Sequence, residues 1–155
     1  VNVWGVLQPA AAATPARPVL PLTRRHVECL QAALPGADVA GVQIYESRET
    51  GLPDGTLLMA ADERLCRVRP WRLVAGRLPD AEDLRARSRC AVISTTLARE
   101  LGLMPGADLR IRAQPFEVIG LIETGGTPAD AGAADAGTRP GDRVVVVPAS
   151  CRPTG

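Results

Sequence analysis

The chain contains no lysine at all: its 18 basic residues are all arginine, balanced by 17 acids for a net charge of +1 over 155 residues. That balance excludes a globally basic nucleic-acid binder. The all-arginine usage, together with abundant alanine, glycine and proline, is read as coding bias rather than function. Aromatic residues make up only 3% of the chain, so stacking platforms for bases or sugars are scarce. No run approaches the roughly 18 consecutive apolar residues needed to cross a bilayer. The four cysteines Cys29, Cys66, Cys90 and Cys151 form no C-x-x-C pair, so a zinc or iron–sulfur framework has no spacing to stand on and no metal is expected. The single histidine, His26, lies beside Arg24 and Arg25, far in sequence from any candidate nucleophile. Any Ser-His-Asp or Cys-His machinery would have to use it, and no G-x-S-x-G elbow is present.

What is there is globular: 46% hydrophobic and 23% charged residues in a length that suits one domain. Residue 1 is valine rather than methionine, so the sequence is read as part of a longer chain. Residues 2–7 suit a short strand, and residues 8–21, with four prolines among alanines, suit an extended arm. Thr23 is a plausible N-cap for a helix carrying Val27, Leu30 and Leu34 at helical spacing and ending at Pro35-Gly36. On that helix Cys29 falls off the apolar stripe, which makes it the first candidate for an exposed or paired thiol.

Residues 39–45 and 56–61 read as neighbouring strands around a Pro53-Asp54-Gly55 turn. Residues 62–71 are irregular and suit a helical turn running into a loop. Asp80 caps a short helix, with Asp83 adding first-turn negative charge. Residues 90–93 read as a strand, and Ser94 or Thr95 caps a second helix that ends at Gly102. Residues 109–112 and 116–122 form a hairpin, and residues 144–147 a last strand stopped by Pro148. Gly76 and Gly106 read as turn glycines, and Gly120 as a close-packing or bulge position. The glycine- and alanine-rich stretch 124–142 reads as a flexible loop. Its T-G-G-T segment is no P-loop, because that motif needs a lysine.

The order of these elements carries a family resemblance. A-G-R-L-P-D-A-E-D (75–83), C-A-V-I-S-T-T-L-A-R-E-L (90–101), G-A-D-L-R-I (106–111), F-E-V-I-G-L-I (116–122) and V-V-V-V-P (144–148) follow one another as the turn, strand, helix and strands of the MacB-like periplasmic domain of FtsX-type ABC transporter permeases. Residues 22–39, opening L-T and closing L-P-G-A-D-V, resemble that family's first helix and strand. These are packing and turn signals, and their collinear order carries the weight.

From the residues, the expected fold is α+β, a mixed sheet of short strands with two or three short helices. The resemblance implies a porter-like part (residues 2–61 and 143–148) and a smaller distal lobe (residues 71–122). It implies a non-catalytic extracytoplasmic domain, anchored in a membrane permease, that couples ATP-driven motion to a periplasmic adaptor, a lipoprotein or an exported substrate. ATP would belong to a separate ATPase, no cofactor to this domain, and the permease would work as a dimer. A free-standing periplasmic ligand-binding or adaptor module is the alternative, and a hydrolase built on His26 a distant third. The implied compartment predicts at least one disulfide, its pairing open.

One local feature stands out. Arg64, Arg67, Arg69, Arg72, Arg77, Arg85, Arg87 and Arg89 face only Asp80, Glu82 and Asp83 in the same stretch of a nearly neutral chain. A solvated face explains them, and so does a surface for an acidic partner, anionic lipid headgroups or an anionic substrate. The acids Asp80, Glu82 and Asp83 are accounted for as first-turn helix residues without invoking acid–base chemistry.

Overall fold

The computed structural model describes residues 24–45, 50–69, 71–124 and 142–151. The short strand expected at 2–7, the arm at 8–21, the cap at Thr23 and nearly all of the loop 124–142 lie outside the described residues. The element order is α1 (Arg24–Ala33), β1 (Val42–Tyr45), β2 (Leu57–Ala61), α2 (Leu65–Val68), β3 (Arg72–Gly76), α3 (Ala81–Ala86), β4 (Cys90–Ser94), α4 (Thr95–Leu101), β5 (Asp108–Ile111), β6 (Gln114–Glu123) and β7 (Val144–Pro148).

Among the described residues seven strands join one mixed sheet in the order β1-β2-β7-β4-β6-β3, with β5 pairing the first half of β6. β2 runs parallel to β7 and β4 parallel to β6, while the β1–β2, β4–β7, β3–β6 and β5–β6 pairs are antiparallel. The architecture is the mixed α+β sheet that the sequence suggested. β4 (CAVIS) and β7 (VVVVP) are buried at every position, as a central strand covered on both faces requires. β6 is longer and alternates between buried and open positions along most of its length.

Alternation along the strands divides the interior into two clusters. One holds Leu58, Ala60, Ala91, Ile93, Val145 and Val147 with Leu97, Ala98, Leu109, Ile111, Phe116 and Val118. The other holds Met59, Ala61, Val92, Ile122, Val144 and Val146 with Leu65. Phe116 is fully buried, and burial of a side chain of that size contributes about 2–3 kcal/mol.

The helices end where their capping chemistry ends them. Asp80 Oδ1 accepts from the amides of Glu82 (2.8 Å) and Asp83 (2.9 Å), and Asp83 Oδ2 accepts from the Asp80 amide (3.0 Å), a reciprocal capping box at the start of α3. Ser94 Oγ caps α4 by accepting from the Leu97 amide, and it also accepts from the Val144 amide at 3.1 Å, tying the helix to β7. Gly102 closes α4 in the left-handed region. Arg143 spans three elements: it reaches Glu100 on α4 at 2.6 Å and donates to the Asp54 carbonyl at 2.9 Å, just before β7 begins.

Three expectations are corrected. β3 is a strand that the pattern did not signal; it runs along the edge of the sheet, with Leu73 and Val74 exposed and a register shift between Leu73 and Ala75. The stripe on α1 is only partly covered: Val27 approaches Gly41 and Gln31 Nε2 donates to the Val39 carbonyl, yet Leu30 and Leu34 remain about half exposed. The four cysteines are free thiols: Cys29 is exposed, as its position off the stripe suggested, Cys90 is buried, and no disulfide joins them.

Gly76 is more than a turn residue. It stands opposite Gly120 in the β3–β6 register, and at φ +76° any Cβ on it would collide with the Ile119 carbonyl. A Cβ on Gly120 would collide with the Arg77 carbonyl in turn. The two glycines let the backbones cross closely enough for the Arg77 amide to donate to Ile119 O at 2.9 Å.

Candidate docking surface

The eight arginines of the basic stretch divide by what they touch. Arg77 makes a forked pair with Asp83, Nη1 to Oδ2 at 2.6 Å and Nη2 to Oδ1 at 3.0 Å. Asp83 is 8% exposed, and that guanidinium, with the Asp80 amide and Ser88, holds its carboxyl below the ordinary value against the opposing effect of burial. Arg72 on β3 pairs with Glu123 on β6, and Arg64 lies 4.0 Å from Glu63. The Arg69 guanidinium lies 5.6 Å from the centre of the Trp71 ring, and partial burial lowers its pKa.

Four remain. Arg67 sits exposed on α2. Arg85, Arg87 and Arg89 follow one another at the end of α3 and in the connection to β4, all exposed. Arg85 Nε donates to the Ala81 carbonyl. Arg87 is the C-cap of α3 at φ 53°, a left-handed position unusual for a side chain with a Cβ. Among the described residues none of these four makes an ion pair with a carboxylate.

The folded chain adds a residue that the basic stretch could not announce. Cys151, in the turn after β7, directs its Sγ to the Ser88 carbonyl at 3.2 Å. Burial raises its pKa, and the nearby Arg89 and Arg87 guanidiniums pull the other way. No pattern in the sequence links position 151 to positions 87–89; β7 beside β4 makes the connection.

No catalytic arrangement forms around the other candidates. Asp80 and Asp83 are committed to capping α3, and Glu82 is exposed in its first turn. His26 is exposed on α1. Among the described residues no cluster of three or more His, Cys, Asp or Glu could hold a metal ion, and no helix is long and apolar enough to cross a membrane. An open apolar groove of about 370 Å³ runs between α4 and β6, lined by Ala98, Leu103, Met104 and Leu121 with Arg99 at its side.

The fold is shared with solved extracytoplasmic regions of transporters. The periplasmic region of MacB from Actinobacillus actinomycetemcomitans superposes with a TM-score of 0.59 at 16% identity, covering 88% of this chain and 59% of that one. The extracellular domain of the noncanonic ABC-type transporter YknZ from Gram-positive bacteria gives 0.56 at 20% identity, covering 83% and 63%. The chain thus spans about three fifths of the length of these solved domains. Among curated proteins no sequence matches it. Residues 2–152 match the MacB-like periplasmic core domain, and the chain belongs to that family of ABC transporter permease domains.

Proposed function

We propose that this domain is a non-catalytic relay on the extracytoplasmic face of an ABC-type permease. Membrane helices of the parent protein anchor it, a separate ATPase supplies the motion, and Arg85, Arg87 and Arg89 dock an acidic surface of an extracytoplasmic partner protein. The observation that carries this reading is the contrast in charge neutralisation. Arg72 and Arg77 have their carboxylates within 3.0 Å, whereas Arg85, Arg87 and Arg89 present uncompensated charge from one short connection. Such charge steers association and sets specificity rather than stabilising the fold.

The single sheet supports the relay. Strands from the porter-like segments, β1, β2 and β7, and from the distal segment, β3 to β6, are hydrogen-bonded in one continuous ladder. A displacement at one edge is carried to the other by buried strands that cannot deform independently.

The test is made in the full permease with its ATPase. Arg85→Glu, Arg87→Glu and Arg89→Glu are introduced together, and export and ATP hydrolysis are measured. The expected result is normal membrane assembly and basal hydrolysis, with export reduced at least tenfold and rescued in part by low ionic strength for the milder Ser variants. Undiminished export by the triple Glu variant would refute the docking surface. Loss of basal hydrolysis along with export would place these residues in assembly instead.

A further inference from the structure

We infer that the apolar groove beside α4 receives an amphipathic helix of the acidic extracytoplasmic partner, one whose apolar stripe is flanked by carboxylates. The inference rests on the docking role proposed above and supplies the apolar half of that contact. Thr95, Ala98, Arg99 and Gly102 stand at i, i+3, i+4 and i+7 and so share one face of α4 and its C-cap. Leu103, Met104 and Leu121 complete the groove of about 370 Å³. Met104 is 70% exposed, the most open of the large apolar side chains among the described residues. Leu101, in the last turn of the same helix, is exposed as well. An open apolar groove of this kind marks a contact surface.

The charge at the groove is positive and uncompensated. Arg99 is exposed and, among the described residues, makes no ion pair with a carboxylate. Its neighbour Glu100 is taken by Arg143, Nε to Oε2 at 2.6 Å and Nη2 to Oε1 at 3.0 Å. The groove also lies near the arginines of the proposed docking surface, because β6 brings the two together. The Glu117 amide donates to the Arg89 carbonyl at 2.9 Å, and the next carbonyl, that of Val118, accepts from the Gly106 amide at 2.7 Å, two residues beyond Met104. Backbones that flank a common strand are about 10 Å apart. Both features belong to one face of the sheet. Ala98, Leu103 and Leu121 pack with the cluster that holds Ile93 and Phe116, and so does Cys151, whose Sγ meets the Ser88 carbonyl between Arg87 and Arg89.

The backbone decides the form of the occupant. β6 is paired on both sides, with β4 on one and β3 and β5 on the other, so it offers no free edge to an added strand. A segment entering an apolar groove must then satisfy its own backbone hydrogen bonds, and a helix does so. Ala98 and Gly102 put little side-chain bulk on the groove face of α4, which lets a second helix approach closely. The seven residues of α4 extend about 10 Å, so about two turns of the incoming helix cover them. Its apolar side chains fill the space between Ala98, Met104 and Leu121, and a carboxylate at its flank meets Arg99.

The chain has two methionines, Met104 in the groove and Met59 in the core at 2% exposure, so methyl-labelled methionine supplies a reporter and an internal control. The probe is a synthetic helical peptide of about three turns, with a leucine stripe flanked by glutamates, compared with a twin carrying lysines in their place. The acidic peptide should shift the Met104 methyl signal and leave that of Met59 unmoved. The lysine twin should bind at least tenfold more weakly, and Arg99→Glu should reverse the preference. No Met104 shift at ~1 mM peptide, or equal binding of the twins, would overturn the inference. So would a Met104 shift with chain concentration alone, which would seat a second copy in the groove. In the full permease with its ATPase, Met104→Glu should lower export at least tenfold and leave basal hydrolysis intact. Undiminished export by Met104→Glu would overturn the groove and leave the arginine surface standing. Export lost in Met104→Glu but kept when Arg85→Glu, Arg87→Glu and Arg89→Glu are combined would refute the arginine surface and support the groove.

Discussion

Arg77 holds Asp83 with both terminal nitrogens, at 2.6 and 3.0 Å, from the far side of the capping box that Asp83 itself completes. One carboxylate thus serves the β3–α3 turn, the first turn of α3 and, through Ser88, the connection to β4. Because the folded carboxyl titrates below its ordinary value of 3.8, its contribution is present at neutral pH and lost as the pH falls through the folded value. Asp83→Asn, which keeps the shape but not the charge, should cost about 1–2 kcal/mol at pH 7. The cost should vanish in strong acid, below the range in which the native carboxyl protonates. Urea unfolding of both proteins between pH 7 and pH 2 checks this. A constant difference across that range would mean that packing rather than ionisation makes Asp83 matter.

The facing glycines make a second prediction, in which identical substitutions have unequal costs. Gly120→Ala places a methyl group against the Arg77 carbonyl and must push β3 away from β6, at about 2–4 kcal/mol. Gly106→Ala, at φ +91° with nothing within 4 Å of the added Cβ, pays only the conformational cost of about 1 kcal/mol. Denaturant midpoints of the two variants give the comparison directly. Equal losses would contradict the close backbone crossing.

Much of this fold was readable because local chemistry and tertiary context agree. The D-x-x-D box at residues 80–83, Ser94 before α4, Gly102 after it and the buried V-V-V-V-P strand all appear where their residue types place them. β3 was not readable: R-L-V-A-G has no alternation, since an edge strand interrupted by a bulge has no single buried face to encode. Its position depends on Gly120, far along the chain. The same distance dependence limits the docking surface. The basic stretch is plain in the composition, but which arginines stay uncompensated depends on Glu123, 51 residues beyond Arg72, and on the orientation of Asp83. The approach of Cys151 to Ser88 is invisible without the β4–β7 pairing.

Arg87 offers a third prediction, because it occupies a left-handed C-cap that favours glycine. Its amide donates to the Asp83 carbonyl, and the Ser88 amide converges on the same oxygen. Arg87→Gly keeps both bonds and removes the strain, so the chain should gain about 0.5–1 kcal/mol by thermal or urea unfolding. Retention of an arginine at a position where glycine is more stable would then be a measured stability cost at the proposed docking surface.

Ser94 joins two elements through one oxygen. Its Oγ accepts from the Leu97 amide as the cap of α4 and from the buried Val144 amide at the start of β7. Ser94→Ala removes both bonds and leaves the Val144 amide in the core without that acceptor, so the expected loss is about 2–3 kcal/mol, more than a cap alone. Hydrogen exchange separates the contributions. If the hydroxyl anchors β7 as well as α4, the variant loses protection at Val144 together with Leu97 under native conditions. If it acts only as a helix cap, Leu97 alone becomes faster and the stability loss stays near 1 kcal/mol. The first outcome would establish that α4 and β7 move as one unit, as a sheet that relays displacement requires.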